Sequence, residues 1–390
     1  MILSHRIELD PTFKQKRYFA MAAGTARLVW NIGLAEWNRQ YEAGDKPSGM
    51  GLKKAFNAEK YERLPWLTQI HRDAHSQPFA NLDKAFKSFF KGIAKHPRFK
   101  KKGKSKDSFS VSNDKFRVEG ESVVLPKIGR IRMTESLRFA GKIMSATVSR
   151  TADRWFISIQ VDVGEYSKPR AGNSIIGVDL GVKVAATLSA GEQFQSPKPL
   201  KSRLKKLARV SRKLSRQVKG SRNRHKTKIK LARIHAKIAN IRKDFLHKLT
   251  TSISCQNQTI VIEDLNIKGM MANRKLSRAI SDIGLFEFRR QLEYKSEIFK
   301  TQVIAADRWY PSSRTCCECG WINKDLKLSD RVFRCESCDN VRDRDDNASQ
   351  NLRSLGLRDH ACGRLNNLDG NIEAESDEAG TKPCPPVGTY

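Results

Sequence analysis

The sequence predicts a multi-domain α/β protein, and three patterns carry this prediction. Residues 107–165 hold short segments in which apolar and polar residues alternate between turn residues, which predicts a small β-barrel or sheet. Residues 11–94 instead repeat apolar residues at the three-to-four spacing of helices. From residue 172 onward, short apolar runs typical of buried strands alternate with long helical segments. A chain of 390 residues is long enough for two or three domains.

The N-terminal half is predicted to form one β-rich domain with a helical insertion. The opening segment, residues 1–10, alternates as a strand, and we expect it to join the sheet of residues 106–170. Residues 11–105 are then a helical insertion that ends in the basic segment "KHPRFKKKGKSK". Several aromatic residues fall at helical spacing or just before the cysteine-rich segment, and we interpret them as packing residues and not as base-stacking platforms. They are Trp30, Trp37, Phe86, Phe89, Phe90, Trp309 and Tyr310.

The second half is predicted to be an α/β domain with strands that end in acids. The stretch "SIIGVDLGVKVAATLSAGEQF" predicts two strands around a glycine-flanked turn, and "TIVIEDLN" predicts another buried strand. Between them, residues 201–248 predict a basic helical pair broken at "KGSRNRHK". An amphipathic helix at 284–300 and a strand within "TQVIAADRWYPSS" follow. Residues 361–390 are rich in glycine, asparagine and acids, which predicts a disordered tail.

The net charge indicates a polyanionic partner. The chain carries 74 Lys and Arg against 41 Asp and Glu, a formal charge of +33. Such an excess repels itself unless a polyanion neutralises it, so DNA or RNA is the expected partner. A membrane surface is the weaker alternative, because no stretch approaches the roughly 20 apolar residues of a spanning helix. The first residues do not read as a signal peptide, so we expect a cytoplasmic protein associated with the nucleoid.

Two cysteine pairs predict a structural zinc site. In a reducing compartment, the eight cysteines of the chain favour metal binding over disulfides. Cys316 with Cys319 and Cys335 with Cys338 form two CxxC pairs, whose thiolates can complete a tetrahedral zinc site with no open position for chemistry. The intervening "GWINKDLKLSDRVFR" is predicted to be a short hairpin, which makes the segment a zinc ribbon. Cys317 is interpreted as a bystander, and a metal-free cysteine cluster is the alternative.

Three acidic positions on separate elements predict a second metal site. Asp179 and Glu263 each end an apolar strand, and a carboxylate there needs hydrogen bonds, a cation or a cleft. Asp264 is expected to point to the opposite side of its strand. After the second cysteine pair, "VRDRDDNASQNLRSL" predicts a helix start with an acidic first turn. The alternative for each of these acids is a purely structural role, which for Asp343, Asp345 and Asp346 is N-capping of that helix.

Together these acids fit phosphodiester hydrolysis. Two divalent cations roughly 4 Å apart, held by several carboxylates, activate water and stabilise the leaving oxygen. Mg²⁺ prefers such oxygen ligands and keeps water and substrate phosphate in its shell. In a chain this basic, the surface would hold the polyanion while metals neutralise the local acids. No Ser-His-Asp spacing, Walker loop or dinucleotide fingerprint competes with this interpretation.

The motifs, taken in order, resemble those of the TnpB family of transposon-associated, RNA-guided nucleases, regarded as ancestors of the type V CRISPR effectors. The resemblance covers about residues 1–355. In the second half it rests on "GVDLGVK", "VIEDLN", "LEYK", "RWYPSSRTCCECG", "LSDRVFRCESC" and "DRDDNASQN". In the first half it rests on "GTARLVWNIGLAEW", "FKSFFKG", "HPRFKKKG" and "LPKIGRIRM".

The resemblance implies roles for particular residues. The acids of the family's RuvC-like nuclease domain, an RNase H fold, fall on Asp179, Glu263 and Asp345, which would bind Mg²⁺. The family's zinc ribbon falls on the four paired cysteines. Two departures, Ser349 in place of an alanine and the extra Cys317, touch no proposed ligand. The implied domains are a wedge (1–10 and 106–170), a helical recognition domain (11–105), the nuclease domain (171–310 and 341–360) and the ribbon (311–340).

The implied function is cleavage of double-stranded DNA, directed by a guide RNA, next to a short transposon-adjacent motif. The resemblance also implies a protein that is monomeric in complex with its RNA. A guide supplies sequence readout by base pairing, so the protein need recognise only shape, backbone and the short motif. The basic segments 95–106 and 201–248 suit phosphate contact. Two alternatives stay open: an RNA-guided DNA-binding regulator without cleavage, and an unguided transposase or nuclease of RNase H fold.

Overall fold

The structure, a computed structural model, describes residues 1–327 and 329–361. Its residues fall into two units, Met1–Tyr166 and a second unit that begins at Ser167, and each is described by itself. The tail predicted to be disordered lies outside the described residues from position 362 onward. Among the residues that are described, no helix is both long enough and apolar enough to span a membrane.

The first unit is built on an antiparallel sheet of seven strands. They are β1 (Ile2–Asp10), β2 (Ser108–Ser112), β3 (Arg117–Glu119), β4 (Ser122–Leu125), β5 (Gly129–Met133), β6 (Lys142–Thr151) and β7 (Arg154–Asp162). Their order in the sheet is β2-β6-β7-β1-β5-β4-β3. The opening strand lies between β7 and β5, so its alternating pattern does belong to this sheet. Alternate residues along each strand are buried in one core, because successive side chains of a strand face opposite sides.

Three helices separate β1 from the rest of the sheet: α1 (Phe13–Glu42), α2 (Gly49–Arg63) and α3 (Arg72–Phe90). A capping box between Thr12 and Gln15 starts α1. Trp30, Trp37 and Phe86 are buried between the helices, as their spacing predicted. The core position predicted for Phe90 is wrong, since this residue is 60% exposed, although its ring stacks on that of Phe86. It is the last residue of α3, so no further helical turn covers its ring.

The second unit is built on a mixed five-stranded sheet. Its strands are β8 (Ser174–Asp179), β9 (Val184–Leu188), β10 (Gln193–Gln195), β11 (Asn257–Glu263) and β12 (Gln302–Ala306). Their order is β10-β9-β8-β11-β12. Strands β8, β11 and β12 run parallel, whereas β9 and β10 return antiparallel from β8. The carboxyl ends of the three parallel strands therefore meet at one edge of the sheet.

Helices cover both faces of this sheet. They are α4 (Pro199–Arg216), α5 (Arg222–Gln256), α6 (Ile267–Ala272), α7 (Ser277–Ile283), α8 (Leu285–Phe299) and α9 (Arg344–Ala361). Apolar residues of α5 and α8 pack with Ile176 and Ile260 on one face. On the other face, Leu352 of α9 packs with Ile175 and Val261. The predicted basic pair corresponds to α4 and α5, and the predicted amphipathic helix to α8.

The cysteine-rich segment differs from the expectation in one respect. The stretch between the two CxxC pairs was predicted to be a hairpin, and among its described residues this is wrong. Strand β13 (Val332–Arg334) pairs instead with β14 (Val341–Asp343), across the second cysteine pair. A single bridge joins Thr315 to Ile322 across the first pair. Each cysteine pair is thus itself the turn, because a CxxC knuckle must reverse the chain to aim both sulfurs at one point. The packing role of Trp309, which is 85% exposed, is also wrong.

Candidate active site

Two of the predicted acids lie side by side at the end of the parallel strands. Asp179 is the last residue of β8, and Glu263 is the last residue of β11. The two strands are parallel neighbours, and Val178 is paired with Ile262 in their register. The next residues along both strands are the two carboxylates, so they lie level with each other at the carboxyl edge.

Helix α9 brings the third acid to this edge. Its axis lies very close to β8, because a Cβ built on Gly177 would overlap the carbonyl oxygen of Ser349 and lie 2.5 Å from the amide nitrogen of Arg353. Gly356 makes a second close approach, since its Cβ would lie 2.9 Å from Ile175. Glycine at these positions therefore lets the helix lie on the sheet. Asp345, in the first turn of α9, is thereby held beside the strand ends.

The pKa of Asp179 is consistent with three acids meeting at this edge. Burial raises the pKa of Asp179 well above its usual value, and the charges of Glu263 and Asp345 raise it further. The guanidinium of Arg344 acts in the opposite direction. Three carboxylates that repel one another at a buried position are the arrangement that a bound cation relieves. The donor set, which consists of oxygens, fits Mg²⁺.

The carboxylates are not drawn to a single point in this structure. Of the described residues, only the four paired cysteines form a group of three or more potential ligands whose atoms all lie within 4.8 Å of one another. The acidic edge is therefore more open than a closed single-ion site. The side chain of Asp345 also lies near two guanidinium groups, 3.1 Å from Arg344 and 3.8 Å from Arg331.

A serine that the sequence interpretation did not single out contacts this site. The hydroxyl of Ser312, a buried residue, donates a hydrogen bond of 2.5 Å to Oε1 of Glu263. The amide of Asn351 on α9 donates to the carbonyl of Ser312 at 2.7 Å. Glu263 on β11 and helix α9 are therefore joined through a single residue. A single sequence does not distinguish Ser312 from an ordinary loop serine, so no signal in the sequence pointed to it.

A second asparagine ties α9 to the first cysteine pair. Asn347 is fully buried, and its amide donates to the carbonyl of Thr315 at 2.7 Å. Its Oδ1 accepts a hydrogen bond of 3.1 Å from the backbone of Cys317. Asn347 and Asn351 are four residues apart and so lie on one face of the helix. The cysteine segment thus rests on the same helix that carries Asp345.

The remaining acids have structural partners. Asp264 forms ion pairs with Arg289 at 2.7 Å and Arg308 at 2.6 Å, and these hydrogen bonds lower its pKa. Asp343 accepts hydrogen bonds from the backbone of the two residues that begin α9 after Arg344, at 2.9 and 3.2 Å, and so caps the helix. The capping alternative therefore describes Asp343, whereas Asp346 lies 3.5 Å from Arg342.

The four paired cysteines form a compact sulfur cluster. Sγ of Cys316 lies 3.7 Å from Sγ of Cys338, and Sγ of Cys319 lies 3.5 Å from Sγ of Cys335. A tetrahedral zinc ion with Zn–S bonds of about 2.3 Å requires sulfurs about 3.8 Å apart. The donor set and its spacing therefore fit zinc. Cys317 is not a member of the cluster, in keeping with its interpretation as a bystander.

The basic helical pair forms a concave cationic surface. A groove of about 460 Å³ lies between α4 and α5. It is lined by Ser202, Arg203, Lys206, Lys230, Arg233, Ile234 and Lys237. The lining contains five cationic side chains and no acid, which suits contact with phosphates.

Three regions of the chain match models of known protein families. Residues 158–274 match a family described as "Probable transposase", and residues 286–352 match a "Cas12f1-like, TNB domain". Residues 1–46 match a family described as a helix-turn-helix domain. In the structure this last segment forms the strand β1 and the single helix α1, so it does not fold as a helix-turn-helix.

The chain is similar to bacterial proteins along most of its length. A protein of Streptomyces pristinaespiralis, provisionally named an RNA-guided DNA endonuclease, is 36% identical over 359 residues, covering 90% of this chain and 89% of that protein. InsQ of Escherichia coli K12, with the same provisional name, is 36% identical over 379 residues, covering 92% and 94%.

Among solved structures, the fold resembles that of Cas12f1 in a cryo-EM complex with guide RNA and target DNA. The TM-score is 0.55 at 15% identity, and the match covers 88% of this chain and 83% of that chain. This likeness establishes a shared mixed α/β fold.

Proposed function

This chain belongs to the TnpB family, and we propose that it is an RNA-guided DNA endonuclease that cuts double-stranded DNA next to a short transposon-adjacent motif. Relatives that share 36% identity over nine-tenths of the chain are provisionally named RNA-guided DNA endonucleases. The observation that carries the proposal is the convergence of Asp179, Glu263 and Asp345 at one edge of a sheet in a chain of charge +33.

The three carboxylates are the proposed ligands of two catalytic Mg²⁺ ions. When bound, such ions lower the pKa of the attacking water and neutralise charge on the leaving oxygen of the phosphodiester. The protein supplies the ligands on rigid elements: two strand ends and a helix that is held against them by Gly177. The basic surface supplies the counter-charge that brings the nucleic acid to an otherwise repulsive acidic edge.

The domain assignments belong to the same proposal. The second unit is an RNase H-like, RuvC-type nuclease domain, which its strand order and the antiparallel return of β9 and β10 support. Residues 1–10 and 106–170 form the wedge, and residues 11–105 form the helical recognition domain. The cysteine segment, 311–340, is a zinc ribbon whose ion is structural, because four cysteines leave no open coordination position.

The experiment uses the protein together with the RNA transcribed from its own transposon end. We expect that RNA to co-purify, and we expect cleavage of a duplex that matches its target-facing end, abolished by EDTA and restored by Mg²⁺. Replacing the target-facing end should redirect cleavage to the new matching sequence. An unguided nuclease would cut both duplexes regardless of the RNA, and a pure DNA-binding regulator would retain the target uncut; either result would overturn the proposal.

A further inference from the structure

One loop of the first unit carries a dense cluster of exposed cations with no acid beside them in the sequence. Residues 98–107, named here the anchored loop, connect the helices to β2 and contain "RFKKKGKSKD". Arg98, Lys101, Lys102 and Lys104 are all exposed, and the sequence contains no acid between Asp83 and Asp107. Cations this close together repel one another, so a loop of this kind is usually free to spread them apart.

The anchored loop is instead fixed by its backbone. The indole nitrogen of Trp30 donates to the carbonyl of Arg98 at 3.1 Å. The side-chain amide of Asn31 makes two bonds to Lys100, donating to its carbonyl at 2.9 Å and accepting from its amide nitrogen at 2.8 Å. These side chains satisfy main-chain groups that a loop without secondary structure would otherwise leave to water.

The far end of the loop is fixed to the same helix. Asp107 forms ion pairs with Arg27 at 2.7 Å and with Arg150 of β6 at 2.5 Å. Arg27, Trp30 and Asn31 are three and four residues apart, so one face of α1 holds the loop at both ends. Holding like charges in place opposes folding, and this arrangement therefore points to a function other than stability.

The side chains within the loop reverse the usual preference for burial. Lys100 turns inward, with its ammonium 3.7 Å above the ring of Trp30, and burial lowers its pKa. The neighbouring Phe99 turns outward and is 50% exposed. Phe99, half-exposed beside a half-buried lysine, presents a flat apolar surface among cations on an anchored backbone.

We propose that the anchored loop binds an unpaired segment of the guide RNA, with a base stacked on Phe99 and the flanking phosphates held by Arg98, Lys101 and Lys102. A base next to a phosphate is the one ligand that combines a flat apolar face with the charge these cations require. RNA is favoured over target DNA because the guide is the resident partner, and a site fixed in advance suits a ligand that stays bound. The proposal rests on the proposed function in that it takes the partner from it.

The test measures RNA affinity with the full chain and a short fluorescein-labelled single-stranded RNA, by anisotropy over a series of salt concentrations. We expect Phe99→Ala to weaken binding about 10-fold without changing the salt dependence, since stacking carries no charge. Lys102→Ala should reduce the slope of log K against log salt by about 0.7, the value for one phosphate contact on a single strand. Asn31→Ala should weaken binding although it removes no charge.

The control is Phe13→Ala, which removes a still more exposed phenylalanine (85%) of the same unit and should bind like the wild type. Thermal unfolding of each variant verifies that it is folded. Wild-type affinity for RNA in both Phe99→Ala and Asn31→Ala would overturn the proposal, and so would a loss confined to binding of single-stranded DNA. If the wild type itself binds no RNA and cuts no matched target, the proposed function fails instead.

Discussion

Two adjacent acids show how a single residue step decides a role. Glu263 ends β11 beside Asp179, whereas Asp264 turns to Arg289 and Arg308. This difference could be predicted, because side chains alternate along a strand and only one of two neighbours can face the parallel strand end. Asp179 was identified by a separate argument, since a carboxylate that ends an apolar strand needs hydrogen bonds, a cation or a cleft.

The residues that support the acids could not be predicted in the same way. Ser312, Asn347 and Asn351 are polar residues of a kind that occurs in most loops and helix starts. Their roles come from hydrogen bonds to residues far away in the chain. The partner lies 49 positions away for Ser312, 32 for Asn347 and 39 for Asn351. Such contacts depend on tertiary packing, and composition or periodicity carries no trace of them. Only the four-residue spacing of the two asparagines indicates a shared helix face.

We predict that Ser312→Ala weakens the metal site without unfolding the protein. The hydroxyl holds Oε1 of Glu263, and loss of such a supporting hydrogen bond costs about 10- to 100-fold in metal affinity or activity. Mn²⁺ binding to the RNA-loaded protein, followed by electron paramagnetic resonance, and the Mg²⁺ concentration for half-maximal cleavage should both report it. Ser312→Thr keeps the hydroxyl and should recover most of the loss.

Ser313→Ala is the matched control, because it removes the hydroxyl of the adjacent residue, which is only partly buried. It should bind Mn²⁺ and cleave like the wild type. Equal metal affinity in the two alanine variants would show that the Ser312 hydrogen bond does not position Glu263.

At the scale of elements, helix α9 is the piece that completes the site. It starts directly after β14, it is capped by Asp343, and it lies on β8 at the distance that Gly177 permits. The acidic helix start could be read from "RDRDDNASQN", but the face of the sheet on which it lies could not. That choice depends on which face α5 and α8 already cover, a question of packing and not of local pattern.

Gly177→Ala tests this packing. The added methyl group overlaps Ser349 and approaches the backbone of Arg353, so α9 must move away from the strand. We expect a loss of about 1–3 kcal/mol in the free energy of unfolding, typical of an overpacked core, together with a fall in cleavage as Asp345 shifts. Circular dichroism melting and a cleavage assay measure the two effects.

Gly24→Ala provides the comparison for that variant. Gly24 lies within α1, and its Cβ would approach only the side chain of Arg27 at 3.7 Å. Alanine there should raise stability by up to about 1 kcal/mol through helix propensity alone. A melting temperature for Gly177→Ala at or above that of the wild type would contradict the packing described for α9.

The cysteine segment carries a prediction about folding and not about chemistry. Cys335→Ser removes one of four clustered sulfurs, so we expect lower zinc content, a lower melting temperature and a lower yield of folded protein. Cys317→Ser should keep one zinc ion per chain, because its sulfur is outside the cluster. Zinc content is measured by inductively coupled plasma mass spectrometry. Unchanged zinc in Cys335→Ser would exclude the proposed ligand set.

At the scale of the whole molecule, the sequence predicted which segments are strands and helices far better than how the strands are ordered. Alternation and apolar runs located β1, β8 and β11, because these are local patterns. The neighbours of β1 in the sheet, β7 and β5, come from more than a hundred residues away in the chain, and no local pattern specifies such pairing. The hairpin expected between the cysteine pairs failed for a different reason, since each cysteine pair is itself the turn between short paired segments.

At this scale, the net charge indicates which class of partner the chain binds. An excess of +33 indicates a polyanion, and the fold places cations on α4, α5 and the anchored loop while the three acids meet at one sheet edge. Cationic surfaces in a chain that also brings three acids together at one sheet edge are expected of a metal-dependent nuclease, whereas a regulator that only binds DNA has no use for the acids.

The most direct test of the central claim is cleavage of a guide-matched duplex by Asp179→Ala in the presence of Mg²⁺. The substitution removes a proposed metal ligand and no phosphate contact. We predict that RNA and target binding are retained while cleavage of both strands falls at least about 100-fold, the scale of losing one stabilising group at a reacting centre. Asp264→Ala, which removes an acid outside the site, should still cut. Cleavage by Asp179→Ala at the wild-type rate would contradict the account.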